Sequence, residues 1–185
     1  EIFYFQDRTV TLSGAPETNS RSNIVAELSG QLTDKLSFSS GVQWNPDIND
    51  ISRGQAEIKY RDKGNRLLNL GYRYRRDNPN NAASIIQTDS SFRWPIYDGW
   101  NGVGRWQYSL KFNSTKESFI GLEKESCCWR FRVVWRRYAN FITGSDDDEM
   151  DEGVFLQLEL KGLTSFGDKV DDFLEKNLKG YQREE

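Results

Sequence analysis

Two thiols stand side by side at Cys127 and Cys128, and they are the only cysteines in 185 residues. A thiol can serve as a nucleophile, a metal ligand or half of a disulfide. The chain has no histidine, which excludes Cys-His and Ser-His-Asp catalysis together. Two cysteines alone make no zinc site, so no metal is expected there. Adjacent cysteines bond to each other only in a strained local geometry. Two possibilities stay open: both are free, or their partners lie outside this chain. The run WRFRVVWRRY that follows puts Trp129, Phe131, Val133 and Trp135 on one parity and Arg130, Arg132 and Arg136 on the other. Guanidinium groups grip carboxylates and phosphates through a planar fork of donors. The partners are either acids such as Glu117, Glu123 and Glu159, or an external anionic group. The acidic stretch from Ser145 to Glu149 reads as a solvated loop, with divalent-cation binding as the sharper alternative.

Long strands are needed to hold these residues in two faces. Period-two alternation recurs almost everywhere before Leu163. It predicts strands at 2–12, 23–33, 36–45, 54–62, 66–76, 84–94, 103–112, 115–124, 128–139 and 153–163. Most are about 9 to 11 residues, the length of a tilted strand crossing a bilayer. Leu68, Leu70, Tyr72 and Tyr74 oppose Arg73 and Arg75, and Trp106, Tyr108, Leu110 and Phe112 oppose Arg105 and Lys111. The expected fold is all-β: an antiparallel transmembrane barrel, apolar toward lipid and polar toward a wet lumen. Its lumen-facing basic residues are Arg73, Arg75, Arg105, Arg130, Arg132 and Arg136. A soluble sandwich or ligand-binding barrel shows the same alternation. Strands in such proteins average only about 5 to 6 residues, and a lumen for an apolar ligand would carry fewer charges.

The connections suggest an orientation. Gaps at 13–22, 46–53, 77–83 and 140–152 are long, and those at 34–35, 63–65 and 125–127 are short. Outer-membrane barrels have short periplasmic turns and long outer loops. That places Cys127 and Cys128 on the periplasmic side. A tight gap at 113–114 and a Pro/Gly-rich gap at 95–102 break the rule.

SFGDKVDDFLEKNLKGY then reads as a short amphipathic helix. Asp168 is placed to cap it, Asp171 and Asp172 suit its first turn, and Lys176 and Lys179 its last, with Gly180 as the stop. Val170, Phe173, Leu174 and Leu178 share a face. The expected role is a soluble helix at the periplasmic rim. The division is therefore 1–163 barrel and 164–185 helical tail. A net charge of -3 gives no electrostatic case for nucleic acid. No run of about 18 apolar residues exists for a transmembrane helix. The chain opens at Glu1 without Met or a signal-peptide pattern, as a mature or truncated piece would.

Several segments together resemble the C-terminal region of the LptD family: CCW leading into RFRVVWRRY, the closing VFLQLELKGLTSFG, the opening YFQDRTVTL, and DSSFRWPIYDGWNGVGRWQYSL. The resemblance runs through nearly the whole chain. It implies a barrel of about 26 strands behind a periplasmic jelly roll, of which this chain is the last part. It implies a non-enzymatic, cofactor-free translocon that moves lipopolysaccharide from a periplasmic LptA bridge to the outer leaflet of the outer membrane. LptE would fill the lumen, and the barrel-assembly machinery would fold the protein. A lateral gate would involve the strand at 153–163, with Gly153, Val154, Leu156, Leu158, Leu160 and Gly162. The resemblance also implies that Cys127 and Cys128 pair with cysteines in the N-terminal part of LptD. The competing readings are a self-contained ten-stranded outer-membrane barrel of other function, such as a hydrolase, and a soluble ligand-binding β-barrel.

Overall fold

The computed structural model describes residues 21–47, 49–62, 64–78, 81–140, 149–161 and 164–181. Among these residues ten strands form one sheet: β1 Ile24–Thr33, β2 Leu36–Asn45, β3 Asp50–Arg61, β4 Leu67–Asn78, β5 Asn81–Tyr97, β6 Trp100–Ser109, β7 Ser114–Glu125, β8 Trp129–Asn140, β9 Glu149–Leu160 and β10 Thr164–Gly167. Their spatial order is the sequence order, and every neighbouring pair is antiparallel. One helix follows, α1 Val170–Asn177. The expected strand at 2–12, the acids 145–148 and Gly162 lie outside the described residues.

The period-two reading of the faces holds across the sheet. Register rows run straight from strand to strand: Leu70 pairs Ile58 and Ser90, while Asn69 pairs Lys59 and Ser91. One face carries large apolar side chains left in the open, including Ile120 at 58%, Trp106 at 53%, Trp135 at 40% and Val154 at 60% exposure. This outer face lacks any covering element among the described residues. The other, inner face carries the charges and the helix. Its apolar core is small: Val103, Phe119 and Val134 from the sheet meet Val170, Leu174, Leu178 and Tyr181 from the tail.

Several boundaries shift. The Pro/Gly-rich gap at 95–102 is not a loop. Pro95 to Tyr97 belong to the 17-residue β5, and the hairpin turns on Asp98 and Gly99 alone, at φ 39° and 72°. Two successive positive φ angles match the right-handed twist of the flanking strands, and Asp-Gly tolerates them. The gaps at 46–53 and 77–83 also shrink, because β3 starts at Asp50 and β4 and β5 reach Asn78 and Asn81. Polar Asn, Asp and Arg residues had obscured strand ends that backbone pairing carries forward. The contrast between long and short connections is weaker than the sequence implied, and rests mainly on 141–148. The predicted strand at 153–163 ends at Leu160 and is not the last. Thr164 to Gly167 form a further short strand, pairing with Gln157 to Leu160. Four residues are too few for alternation to register.

Candidate functional site: the charged inner face

All six basic residues expected in a lumen, Arg73, Arg75, Arg105, Arg130, Arg132 and Arg136, sit on the parity that bears the helix. The inner face divides into two halves that use their arginines differently.

On β5 to β9 the charges satisfy one another. Arg93 Nε donates to Glu123 Oε2 at 3.1 Å. Arg132 lies 3.8 Å from Glu123 and 3.6 Å from Glu159. Arg130 bonds Glu125 at 2.6 Å and Glu159 at 3.4 Å, and Lys161 reaches Glu125 at 2.7 Å. The result is an alternating chain from Lys161 through Glu125, Arg130, Glu159, Arg132 and Glu123 to Arg93. Arg136 bonds Glu117 at 2.7 Å, and Arg105 pairs with Asp89. A desolvated guanidinium is costly unless paired and hydrogen-bonded. Of the two partner sets open at the level of sequence, the acids of neighbouring strands occupy this half.

The tail lies across this face instead of standing off at a rim. Asp171 N–H donates to Gln157 Oε1 at 2.9 Å. Arg105 Nη1 donates to Asn177 Oδ1 at 2.7 Å. Asn69 Nδ2 donates to the Lys179 carbonyl at 3.0 Å, and Arg61 Nη2 to that of Gly180 at 2.7 Å. Lys179 pairs with Glu57 at 2.6 Å. The tail therefore spans from β9 to β3. The apolar stripe read from sequence is the docking face, with Val170, Leu174 and Leu178 buried. Phe173 sits edge-on to Phe119 with ring centroids 4.9 Å apart. Gly180 needs its φ of 86° to turn over Leu67.

Asp168 does not cap the helix, whose N-terminal residue Lys169 makes no side-chain cap bond. Its carboxylate accepts the N–H of Leu156 at 3.1 Å, and its own N–H donates to the Leu156 carbonyl at 2.8 Å. It thereby closes the pairing of β9 where β10 ends. Arg61, Asn69, Arg93 and Tyr181 were not singled out from sequence. Parity marks the first three as inner-face residues, but only docking of the tail gives them a common partner.

On β1 to β5 the inner face lies open beside the tail. A groove of about 640 Å³ is lined by Arg53, Gln55, Arg73, Arg75, Lys176 and Lys179 among others. Arg73 and Arg75 thus belong to this open half, and Arg105 stands at the border between the two.

Cys127 and Cys128 occupy the exposed β7–β8 turn as free thiols. Their sulfurs are 2.8 Å apart, beyond the roughly 2.05 Å of a disulfide. The Cys128 and Ser126 groups donate toward Cys127 and lower its pKa, while the same interaction with Cys127 raises that of Cys128. Gly153, Val154, Leu156, Leu158 and Leu160 all lie on β9, the last four on the exposed outer face.

The LptD family, LPS transport system D, matches residues 1–100. An LPS-assembly protein LptD of Methylococcus capsulatus is 39% identical over 175 residues, covering 88% of this chain and 17% of that protein. The LptD of Nitrosococcus oceani is 37% identical over 98% of this chain and 23% of its own length. That of Ectopseudomonas mendocina is 34% identical over 100% of this chain and 24% of its own length. The chain spans about a sixth to a quarter of the length of these curated relatives. With a family match over more than half its length and relatives aligned along nearly all of it, this chain belongs to the LptD family.

Proposed function

We propose that this chain forms the C-terminal strands of a transmembrane β-barrel in the outer membrane of a Gram-negative cell, and that the whole protein assembles lipopolysaccharide there without enzymatic chemistry. The observation that carries the reading is the two-faced sheet. Its outer face leaves Ile120, Trp106, Trp135 and Val154 open, as lipid contact requires. Its inner face is a charged wall, as an aqueous lumen requires. Open sheet edges cannot persist in hydrocarbon, where each unsatisfied backbone group costs several kcal/mol. The remaining strands of the barrel are therefore the partners of β1 and of the β9–β10 edge. A short final strand leaves Glu149 to Phe155 of β9 to pair with strands from elsewhere in the protein, which supports a separable seam on this side of the barrel. The open groove on β1 to β5 suits the lumenal lipoprotein LptE or the passing glycolipid, and the jelly roll would receive lipid from LptA. The barrel-assembly machinery would supply the edges during folding.

In this reading Cys127 and Cys128 sit at the periplasmic end and pair with cysteines in the N-terminal part, outside this chain. Their exposure on a turn supports access by such partners. The 1–163 and 164–185 division is then one of sequence: the tail begins with a strand of the barrel and ends inside it.

The test is controlled depletion of the full-length protein. Newly made lipopolysaccharide should stop arriving at the cell surface and accumulate on the inner side of the envelope. Undiminished surface arrival after depletion would refute the assignment.

A further inference from the structure

At the end of the sheet that carries the β3–β4 and β7–β8 turns, two cations lie against tryptophans of the outer face. Arg66 sits just before β4, one step beyond the pair of Leu67 with Arg93. Its guanidinium lies 5.5 Å from the Trp94 ring centroid, and Trp94 stacks on Tyr60 at 6.2 Å. Tyr60 pairs with Leu68, and Leu68 with Phe92, so these three share the outer face. Trp94 is two residues further along it and exposed. Lys124 on β7 repeats the arrangement, 5.7 Å from the Trp100 ring centroid. The two cations differ in how their charge is answered. Lys124 Nζ donates to the carbonyl of Asp98 and, at 3.2 Å, to its carboxylate. The carboxylate nearest Arg66 is Asp62 at 3.8 Å, outside hydrogen-bond reach, and Lys35 sits closer to that acid, at 3.0 Å. Among the described residues no acceptor bonds the Arg66 guanidinium, and the side chain is 46% exposed.

The outer face beside Arg66 is apolar, with Ile58, Leu68, Leu70 and Phe92 all exposed. The same face of β4 ends in Tyr74, eight residues from Arg66. Eight residues of strand span about 27 Å, and a tilt of about 40° makes that about 21 Å of height, close to the roughly 25 Å apolar band of such barrels. Arg66, Trp94 and Tyr60 therefore stand where headgroups meet acyl chains, the level at which Trp and Tyr gather.

We infer that Arg66, backed by Trp94 and Tyr60, holds the phosphate of a glycerophospholipid whose acyl chains lie along Ile58, Leu68, Leu70 and Phe92. The inference rests on the membrane-barrel reading and its orientation. In that orientation this end is periplasmic, so the leaflet here is opposite to the one that receives lipopolysaccharide. A guanidinium fork offers paired donors to phosphate oxygens. Contact with the Trp94 ring steadies the cation and restricts the fork. Asp62 lies near Arg66 without bonding it, so a phosphate displaces no hydrogen bond. Lys35 answers the Asp62 charge, which leaves this rim positive.

The experiment uses the full-length protein in its purified membrane assembly. It compares two photoreactive lipids with the same acyl chains, a phosphatidylglycerol and a diacylglycerol. After irradiation, peptide mass spectrometry reads adducts at residues 67–73 and, as a reference on the same face, at 133–136. The phosphatidylglycerol probe should label 67–73 about tenfold more than the diacylglycerol probe, the factor that one charge-assisted hydrogen bond supplies. At 133–136 the two should label alike. Arg66→Gln should lower the phosphatidylglycerol adduct at 67–73 about tenfold, and Arg66→Lys should lower it less, since the charge is kept. The comparison of lipids uses unsubstituted protein, so it decides even where a variant fails to assemble. Equal labelling of 67–73 by both probes, or an adduct unchanged in Arg66→Gln, overturns the phosphate site. Displacement of the probe by lipopolysaccharide but not by unlabelled phosphatidylglycerol reassigns the headgroup and overturns it as well. Labelling at 133–136 in any of these cases leaves the barrel reading standing. Absence of labelling at both places overturns the site together with lipid contact of this face.

Discussion

The Tyr181 hydroxyl donates to Glu123 Oε1 at 2.8 Å, joining the end of the tail to the inner face of β7. The other Glu123 oxygen is held by Arg93, whose guanidinium also lies 5.4 Å from the Tyr181 ring centroid. A buried carboxylate, a buried guanidinium and a buried phenol thus close one triangle. Burial, then the Glu123 charge, pushes the Tyr181 pKa above its ordinary value of 10. Tyr181→Phe removes one donor from Glu123 and should weaken tail docking by about 1–2 kcal/mol. The sign with pH follows from linkage: a raised folded pKa keeps its contribution below pH 10 and loses it as pH rises beyond. Heat unfolding of the full-length protein should separate wild type from Tyr181→Phe at about pH 8, and the separation should narrow toward about pH 11. A gap that widens contradicts the placement.

Leu174 is fully buried between the tail and the sheet. Leu174→Ala removes apolar packing and leaves a cavity, at a cost of about 2–5 kcal/mol. The loss falls on docking, since no strand pairing passes through α1. Trypsin should then cleave at Lys176 and Lys179 in folded protein, while strand content by circular dichroism stays constant. Equal protection of the tail in variant and wild type would show that it is anchored without this side chain.

Ile120 stands near the middle of β7 on the outer face, paired with Trp135. Arginine there should cost about 2–4 kcal/mol if that face meets the hydrocarbon midplane. Arginine at Glu117, on the inner face, carries no lipid penalty, although it breaks the pair with Arg136. Folding yields of full-length protein in lipid bilayers measure the difference. A tolerated Ile120→Arg is the outcome that contradicts lipid contact.

Cys127 should be the more reactive thiol when the pair is reduced, because its pKa is lowered chiefly by donation from Cys128. Alkylation at about pH 7.5 should modify Cys127 first, and Cys128→Ala should slow that reaction several-fold. Peptide mass spectrometry reads both sites. Faster labelling of Cys128 would reverse the assignment of donor and acceptor.

Gly121 shows how little freedom the inner face has. A Cβ at this position would lie 2.5 Å from the Val133 carbonyl and 2.8 Å from Val134 Cγ2. Gly121→Ala should destabilise the β7–β8 pair beneath the tail by about 1–3 kcal/mol, the range for overpacking. Denaturant unfolding of the full-length protein reads it. A neutral substitution would mean that the two strands separate more readily than their register indicates.

Alternation along single strands was sufficient to assign faces, because side-chain direction in a strand is a local property with a period of two. It placed all six basic residues on one side and the Trp129 to Trp135 stripe on the other. It also marked the helix and its apolar stripe, since period 3.6 is equally local. Strand ends were harder. Asp50, Asn78 and Asn81 read as loop residues, yet the backbone ladder runs through them because pairing is decided by the neighbouring strand.

What only the tertiary structure decided is which charges answer which. The sequence determined that Arg93, Arg105 and Arg132 share a face with Glu123, Asp89 and Glu159, but not that the first set is satisfied within the sheet. It determined an amphipathic tail, but not that the tail folds back across the strands to bond Arg61, Asn69 and Arg105. Nor could it show that Arg53 meets Arg75, because cross-strand register depends on the length and twist of each hairpin. Local periodicity sets the direction of a side chain. Long-range register and docking set its partner, and on a charged face the partner decides whether an arginine is structural or open to a ligand.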